Sequence, residues 1–361
     1  MLRKKILSGI SILVVTGFLL AGYFTGLDPR TWNLPVLFSM TFPLWLIAMI
    51  AMTVIAIAMH GRVAMLILLL GWAFGWVNVC AYSPWNRPRE AAEGEQTFSL
   101  MTYNVYHFKN YNKDDSKSSS NATIQTIIDS GADIVALQEC VSLESPNVAI
   151  EYTLAQFEDI TKLYPYRQYQ GCMGLLSRFP IETVELPEHP EGTAYFAAWK
   201  VFIPEKTTIL YDVHLQSFGL DENDKEAYVD LIEGEVNKQV LKEARNALLP
   251  KVSRALKYHA SEAMMLARDI NLTSPDEPVI VCGDFNDIQG SFPVKEILNG
   301  CDMKDAWRTG ALGPTYTYHG SRLYFNIDHI LYRDFLKPLK TWRIKSGASD
   351  HYPIMTIFPI D

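Results

Sequence analysis

The chain of 361 residues is long enough for one large domain or two ordinary ones, and its formal net charge is −8. Residues 1–89 contain seven Lys and Arg and one Asp, so residues 90–361 contain 25 basic and 39 acidic residues, a formal charge of −14. Proteins that bind duplex nucleic acid draw much of their affinity from a basic face that neutralises phosphates. This balance therefore disfavours a dedicated nucleic-acid enzyme without excluding one.

Three nearly charge-free runs occupy the first 83 residues. They contain 22, 24 and 20 residues and lie at 6–27, 36–59 and 63–82. Each is long enough, at about 1.5 Å per residue, to cross a hydrocarbon core of about 30 Å. A cleaved signal peptide is an alternative for the first run, but residues 21–23 (AGY) form a poor cleavage site and two more apolar runs follow. We therefore expect three transmembrane helices within residues 1–83, which bind the lipid bilayer.

The distribution of Lys and Arg around these runs predicts their orientation. Four basic residues flank the side on which the chain begins and three flank the other, namely Arg3, Lys4, Lys5 and Arg62 against Arg30, Arg87 and Arg89. Basic residues favour the cytoplasmic side, so this small excess favours a cytoplasmic start. Three spans then place the remaining chain outside the cytoplasm. The expectation is an integral protein of the cell (inner) membrane with an extracytoplasmic domain.

A polar segment with Pro and Gly at 84–96 predicts a linker, and residues 97–361 follow as one domain. In that domain, apolar runs typical of strands alternate with helical patterns. The predicted strands lie within 98–106, 133–139, 171–186, 195–203, 207–217, 279–281, 315–319, 325–332 and 351–358, and the predicted helices within 121–130, 221–270 and 294–299. This order predicts an α/β fold in which two sheets pack face to face with helices outside. The charged segment 221–270 is interpreted as a solvated helical insertion near the functional face.

Polar residues stand at the ends of most of these apolar runs. In VIVCGDFND, residues 279–287, a strand without alternation is followed by Gly283, which permits a sharp exit of the backbone, and then by two acids and an asparagine. Such a loop alone is compatible with an ordinary turn. A larger set, however, is hard to attribute to turns: Asn104, Glu139, His214, Asp284, Asn286, Asp328, Asp350 and His351.

The ordered segments TYNV, LQE, LLSRFPI, HLQS, GDFND, IDHI and SDHYPI resemble those of the endonuclease/exonuclease/phosphatase family. The resemblance covers roughly residues 97–361, and the three preceding apolar runs resemble those of membrane-anchored bacterial members. It implies a DNase I-like fold, a four-layer α/β sandwich of two packed mixed β-sheets. It also implies Mg²⁺- or Mn²⁺-dependent cleavage of phosphate esters.

The resemblance also implies roles for individual residues. Glu139 is the expected main metal ligand, with Asn104 and Asp350 in or next to the same coordination shell, since hard divalent cations prefer oxygen ligands. Asp284 is expected to hold and deprotonate the attacking water. Asn286 would fix that water or a phosphate oxygen.

His351 and His214 are expected to donate to the phosphoryl oxygens, and Asp328 to orient the imidazole of His351. A buried structural histidine is the alternative for His214. Two further positions bear on the pattern. Many members have a basic residue where Asn326 stands, and Arg178 is expected to support structure rather than catalysis.

The leading hypothesis is a membrane-anchored, divalent-metal-dependent hydrolase of phosphate esters. Its expected reaction is that of a phosphodiesterase acting on a lipid headgroup or another extracytoplasmic phosphoester. The alternative is a metal-dependent endonuclease or exonuclease. A binding protein on an inactive enzyme fold is disfavoured because every expected catalytic residue type is present, although fold alone does not fix the substrate.

Overall fold

The computed structural model describes residues 2–109, 120–144, 153–189, 195–233, 238–335 and 337–360. Its N-terminal region consists of four helices, α1 (Leu2–Phe24), α2 (Asn33–Ser39), α3 (Phe42–Ala58) and α4 (Arg62–Tyr82). The helices α1 and α4 are each long and apolar enough to cross a membrane, whereas α2 and α3 qualify only as a pair bent by 52°. The described residues thus provide two candidate spans, or three if the bent pair forms one span.

The bend divides the second predicted span, 36–59, into two helices. Pro43 lies in the first turn of α3 and has no N–H to donate to the carbonyl of Ser39 four residues earlier. Thr41 Oγ1 instead donates to the carbonyl of Phe38, 2.6 Å away, at the end of α2. A sequence with continuous hydrophobicity therefore does not form one continuous helix here.

Twelve strands in the described part of the chain form two six-stranded sheets. The strands are β1 (Thr97–Asn104), β2 (Ile134–Gln138), β3 (Tyr166–Gln170), β4 (Met173–Ser177), β5 (Ile181–Val184), β6 (Tyr195–Ile203), β7 (Lys206–His214), β8 (Val279–Asp284), β9 (Lys304–Asp305), β10 (Asp328–Arg333), β11 (Lys340–Arg343) and β12 (Ile354–Pro359). The first sheet has the order β11-β12-β1-β2-β4-β3, and the second has the order β5-β6-β7-β8-β10-β9. Each sheet contains parallel and antiparallel pairs, so both are mixed.

Among the described residues, seven α-helices accompany the sheets: α5 (Ala122–Ser130), α6 (Leu154–Leu163), α7 (Glu222–Glu233), α8 (Lys238–Glu243), α9 (Leu249–Thr273), α10 (Phe292–Gly300) and α11 (Ala306–Gly310). The inner faces of the two sheets share one core, to which Leu100 of β1 and Ile280 of β8 contribute. Met101, the next residue of β1, packs instead with α5 and α6, and Val281 packs with α9 and α10. Because neighbouring strand residues point to opposite faces, both faces of each sheet are buried. The predicted four-layer sandwich of the DNase I-like fold is confirmed.

The sequence pattern predicts a solvated insertion at 221–270, and the structure shows that this prediction is wrong. Its C-terminal part, α9, buries Ala263, Leu266, Ala267 and Ile270 against the second sheet. These positions follow the helical spacing of three and four residues, so one stripe of the helix is core and only the opposite face is charged. The many charged residues of the segment concealed this stripe.

Other element predictions differ from the structure in detail. Residues 315–319 form no strand, because Tyr318 makes only isolated bridges to Phe325 and His351. The strands β3, β9 and β11 were not predicted. The run 171–186 supplies β4 to the first sheet and β5 to the second, so the chain crosses between sheets at 178–180.

The N-terminal region contacts the sandwich directly. Val36 of α2 is buried in a cluster with Leu248, Val252 and Leu256 at the start of α9. At the end of α4, the carbonyl of Tyr82 accepts a hydrogen bond from Gln289 Nε2. The division at 84–96 between a membrane region and a catalytic domain stays a proposal from the sequence.

The register of the strands brings their polar ends to one edge of the sandwich. Parallel β1 and β2 end together, with Asn104 opposite Gln138. In the second sheet, Asp284 lies opposite His214 of parallel β7 and opposite Asp328 of antiparallel β10. Residues far apart in the sequence therefore meet at this edge.

Gly283 makes this register possible, and we expect Gly283→Ala to lower stability strongly. Its φ is 137°, and a Cβ there would lie 2.0 Å from the carbonyl oxygen of Val213. The added atom would push β8 away from β7, at an expected cost of at least about 2 kcal/mol. The apparent Tm of the full chain measures the effect. Gly300→Ala is the control, because its Cβ would meet only Ala267 Cβ at 3.8 Å. Equal Tm values for the two variants would contradict this account.

Candidate active site

The carboxyl ends of β1 and β2 place Asn104 beside Glu139. Asn104 ends β1, Glu139 follows β2, and Asn104 Nδ2 donates to Glu139 Oε1 over 3.2 Å. Glu139 has a left-handed backbone with φ of 49°, which residues other than glycine adopt infrequently. Its side chain keeps 25% of its surface exposed. A buried strand thus ends in an accessible carboxylate.

Asp284 connects the two sheets at the same edge. It is only 1% exposed, and its Oδ2 accepts a hydrogen bond from Asn104 Nδ2 over 3.0 Å. Its Oδ1 accepts from the backbone N–H of Asn286 over 2.8 Å. Asn286 is itself left-handed, with φ of 48°, and donates through Nδ2 to the carbonyl of Leu215. The polar GDFND loop therefore holds its acid in a fixed position.

His351 lies between two carboxylates. Its Nδ1 donates to Asp328 Oδ2 over 2.9 Å, and its Nε2 lies 3.6 Å from Asp284 Oδ2. Burial by itself lowers the pKa of His351. The carboxylates of Asp328, Asp284 and Asp350 have the larger, opposite effect, and together they raise the pKa to about 10. The imidazole is therefore protonated at neutral pH.

Asp350 adds a third carboxylate to the same place. Burial raises its pKa; His351 opposes this, whereas the carboxylates of Glu139 and Asp284 raise the pKa further. Ser349 Oγ donates to Asp350 Oδ1 over 3.3 Å. The raised pKa of Asp350 therefore reflects both its burial and the like charges of Glu139 and Asp284 beside it.

His214, at the end of β7, and His107 flank Glu139. His214 Nε2 lies 3.7 Å from Glu139 Oε1 and 3.9 Å from Asp284 Oδ2. His107 Nε2 lies 3.5 Å from Glu139 Oε2. These imidazoles face carboxylates rather than apolar core, so His214 is not simply a packed core residue.

A cavity of about 230 Å³ opens beside these residues. Five of the eight predicted site residues line it, namely Glu139, Asp284, Asn286, Asp350 and His351. The other three contact this group from behind: Asn104, His214 and Asp328. The structure thus brings together all eight residues. The remaining lining is mostly apolar and includes Met40, which follows α2 in the N-terminal region.

The donor set suits a divalent cation. Glu139, Asp284 and Asp350 offer carboxylate oxygens to one cavity, and Mg²⁺ uses such ligands together with water and phosphate oxygens. Asn104 contributes differently, because its Oδ1 accepts from the N–H of Tyr106 and its Nδ2 faces the carboxylates. Ligation through its Oδ1 would require the amide to turn by half a rotation.

A second group of possible ligands lies beside the first. Ligand atoms of Asp284, Asp328 and His351 all lie within 4.8 Å of one another. Because Nδ1 of His351 donates to Asp328 Oδ2, a cation bound here would contact the imidazole through a deprotonated Nε2.

Several supporting residues were missed in the sequence analysis. Thr317 Oγ1 accepts hydrogen bonds from the N–H groups of Ile327 and Asp328, and Tyr318 packs its ring 5.1 Å from that of His351. No role for His107 follows from the sequence pattern. A single threonine, tyrosine or loop histidine forms no pattern in the sequence that marks it as part of a site. Only the contacts in the folded chain show that Thr317, Tyr318 and His107 support this one.

A second network supports the GDFND loop. Asp287, whose position is also compatible with an ordinary turn, contacts α9. Its Oδ2 lies 3.2 Å from Nδ1 of the buried His259. The Nε2 of His259 donates to the carbonyl of Gln216.

The two further positions named from the sequence, Arg178 and Asn326, make structural contacts. Arg178 Nη1 donates to Asp133 Oδ1 over 2.9 Å. Asn326 donates through Nδ2 to Gln289 Oε1 over 2.6 Å.

The fold and this constellation are those of a class of phosphoester hydrolases. Residues 101–351 match the endonuclease/exonuclease/phosphatase family, and the chain belongs to that family. The resemblance noted in the sequence is thereby confirmed. Residues 4–82 match a family described as a domain of unknown function (DUF8431). No curated protein matches the chain.

Several solved structures have a similar fold. One is an endonuclease/exonuclease/phosphatase from Bacteroides vulgatus, which is 17% identical to this chain with a TM-score of 0.46. The match covers 74% of this chain and 100% of that one. Truncated TDP2 from Caenorhabditis elegans is 17% identical, with a TM-score of 0.46 and coverage of 73% and 98%. Beta toxin from Staphylococcus aureus is 16% identical, with a TM-score of 0.47 and coverage of 72% and 99%.

Thr317 tests whether the start of β10 depends on one hydroxyl. We expect Thr317→Val to destabilise the protein by about 1–3 kcal/mol, because two buried N–H groups lose their acceptor. The loss should displace Asp328 and lower turnover as well. Thr317→Ser keeps the oxygen and serves as the control. The measurements are the apparent Tm and turnover. If the valine and serine variants behave alike, the hydroxyl has no such role.

Proposed function

We propose that this protein is a membrane-associated phosphoester hydrolase that works with a divalent cation, Mg²⁺ or Mn²⁺. The observation that carries the proposal is the convergence of Glu139, Asp284 and Asp350 on one cavity. A phosphate group is negatively charged, so three carboxylates repel it unless a cation lies between them. Mg²⁺ commonly joins carboxylates to substrate phosphate oxygens, which makes it a suitable occupant.

In this proposal Glu139 is the main ligand and Asp350 is the second. When bound, the cation polarises the phosphoryl oxygens and offsets the charge that develops on them. Asn104 holds Glu139 and Asp284 at a fixed separation, because its Nδ2 donates to both.

Asp284 is the proposed general base. One of its oxygens accepts from Asn104 and the other from the N–H of Asn286, so the carboxylate is oriented before substrate binds. It would take the proton of the water that attacks phosphorus. Asn286 lines the cavity and would fix this water or a phosphate oxygen.

His351 and His214 are the proposed donors to the phosphoryl group. His351 is protonated and faces the cavity, so it can stabilise negative charge that grows in the transition state. Asp328 acts through His351 as a positioning residue, because it accepts the hydrogen bond from Nδ1 and fixes the direction of Nε2.

We propose a lipid headgroup phosphodiester as the substrate and nucleic acid as the alternative. The apolar helices α1 and α4 favour work at a membrane surface, and Met40 reaches the cavity itself. The formal charge of −14 for residues 90–361 disfavours a polyanionic substrate.

The proposed location is the cell (inner) membrane, with the catalytic domain outside the cytoplasm. This location rests on the excess of basic residues on the side where the chain begins and on counting the bent pair α2 and α3 as one span.

Loss of Asp284 or His351 should lower turnover by about 10²- to 10⁴-fold, the range for removal of a general base or a main charge stabiliser. Purified full-length protein and the variants Asp284→Ala and His351→Ala are incubated in Mg²⁺ with mixed membrane lipids or with DNA. Mass spectrometry identifies the products. The control is Asp276→Ala, an exposed acid near the opposite end of β8.

Release of a phosphorylated headgroup or free phosphate from lipid, reduced in both variants, is the expected result. Nucleotide products with intact lipids would instead favour the nuclease. Near-full activity of either variant on the substrate that is cleaved would remove the role proposed for that residue.

Glu139→Ala is expected to weaken activation by the metal specifically. The concentration of Mg²⁺ that gives half-maximal activity should rise at least about tenfold, because the main ligand is lost. Titration of chelator-treated protein with Mg²⁺ and Mn²⁺ provides the measurement, with Glu182→Ala on exposed β5 as the control. An unchanged Mg²⁺ dependence would show that the ligand assignment is wrong.

A further inference from the structure

The residues that line the cavity beside the carboxylates form a polar group and an apolar group, which we name its polar end and its apolar end. Its polar end contains Glu139, Asp284, Asn286, Asp350 and His351. Its apolar wall includes Met40, Leu220, Leu248, Val252, Leu323 and Phe325. A phosphate would occupy the first end, because the side chains named for the apolar wall offer it no hydrogen-bond partner.

Three parts of the chain build the apolar wall. Met40 follows α2, Leu248 and Val252 lie at the start of α9, and Phe325 precedes β10. Val252 is only 8% exposed, and Val36 of α2 belongs to the same apolar cluster. The apolar end of the cavity is therefore continuous with the N-terminal region, which is the part of the chain able to enter a membrane.

The charges around the cavity limit what it can bind. Among the described residues that line the cavity, Lys225 is the only lysine or arginine. Its ammonium group forms an ion pair with Glu222 over 3.0 Å. A polynucleotide would bring further phosphates on both sides of the scissile one, and each would need a cationic partner. One phosphate attached to an apolar chain matches the lining better.

We propose that the apolar end of this cavity binds the hydrocarbon chain of the substrate, so that the enzyme recognises an amphiphilic phosphoester by its chain as well as by its phosphate. This inference rests on the proposed function. It makes Met40 and the start of α9 part of the substrate site, and it gives the N-terminal region a role in specificity besides membrane attachment.

A series of substrates with one headgroup and increasing chain length tests the proposal. Full-length protein in Mg²⁺ is given n-alkyl p-nitrophenyl phosphates and n-alkyl phosphates with methyl, butyl and octyl chains, all below their critical micelle concentrations. Each buried methylene is worth up to about a fourfold gain in affinity. The expected result is a steep rise in kcat/KM with chain length, carried by KM.

Val252→Phe narrows the apolar end and should reduce the ratio of octyl to methyl kcat/KM at least tenfold. The matched control is Leu272→Phe at the exposed C-terminal end of the same helix, which should keep the wild-type ratio. If Val252→Phe fails to fold, Met40→Gln, at a half-buried position of the same apolar wall, replaces it.

The outcomes separate this inference from the proposed function. Hydrolysis that is independent of chain length overturns the inference and leaves the phosphoester hydrolase intact. A chain-length dependence that Val252→Phe and Leu272→Phe share also overturns it. No hydrolysis of either series, with DNA cleaved, overturns the proposed lipid substrate and the inference together.

Discussion

The site depends on the close pairing of β8 with β7 on one side and β10 on the other. This pairing sets Asp284 beside His214 and Asp328, and it is possible only because Gly283 lets the two parallel strands approach where any side chain would strike Val213. The hydrogen-bond register of the strands determines which residues lie opposite one another. A slip of one residue would turn each acid to the other face of the sheet. The positions of the acid, its neighbouring histidine and the partner of His351 are therefore consequences of sheet geometry, before any side-chain interaction is considered.

Electrostatics then explains why such a site needs a positive partner. Burial raises the pKa of Asp350, the neighbouring carboxylates of Glu139 and Asp284 raise it further, and His351 offsets only part of this effect. A divalent cation would remove the remaining repulsion and would attract the phosphate that the same acids otherwise exclude. The arrangement that is unfavourable in the protein alone is thus suited to a ternary complex of protein, cation and phosphoester.

The N-terminal region is joined to the catalytic edge rather than merely attached to the chain. Gln289, just after the GDFND loop, donates to the carbonyl of Tyr82 and accepts from Asn326, which precedes β10. The start of α9 packs on Val36 of α2. Two loops of the site therefore rest on the ends of helices that can enter a membrane. This proximity is the structural basis for connecting a phosphoester site with an apolar chain.

The sequence by itself determined the α/β class and most strand positions, and it indicated the eight polar residues that meet at one sheet edge. It could do so because a strand covered on both faces shows as an unbroken apolar run and its polar end is visible locally. It also located α5, whose Asn121 cap and left-handed Gly131 are local signals. Only the tertiary structure decided which sheet each strand joins, the bend at Pro43 and the core role of α9. It alone revealed the apolar wall, because Met40, Val252 and Phe325 are brought together by packing over more than 200 residues of chain and share no local pattern.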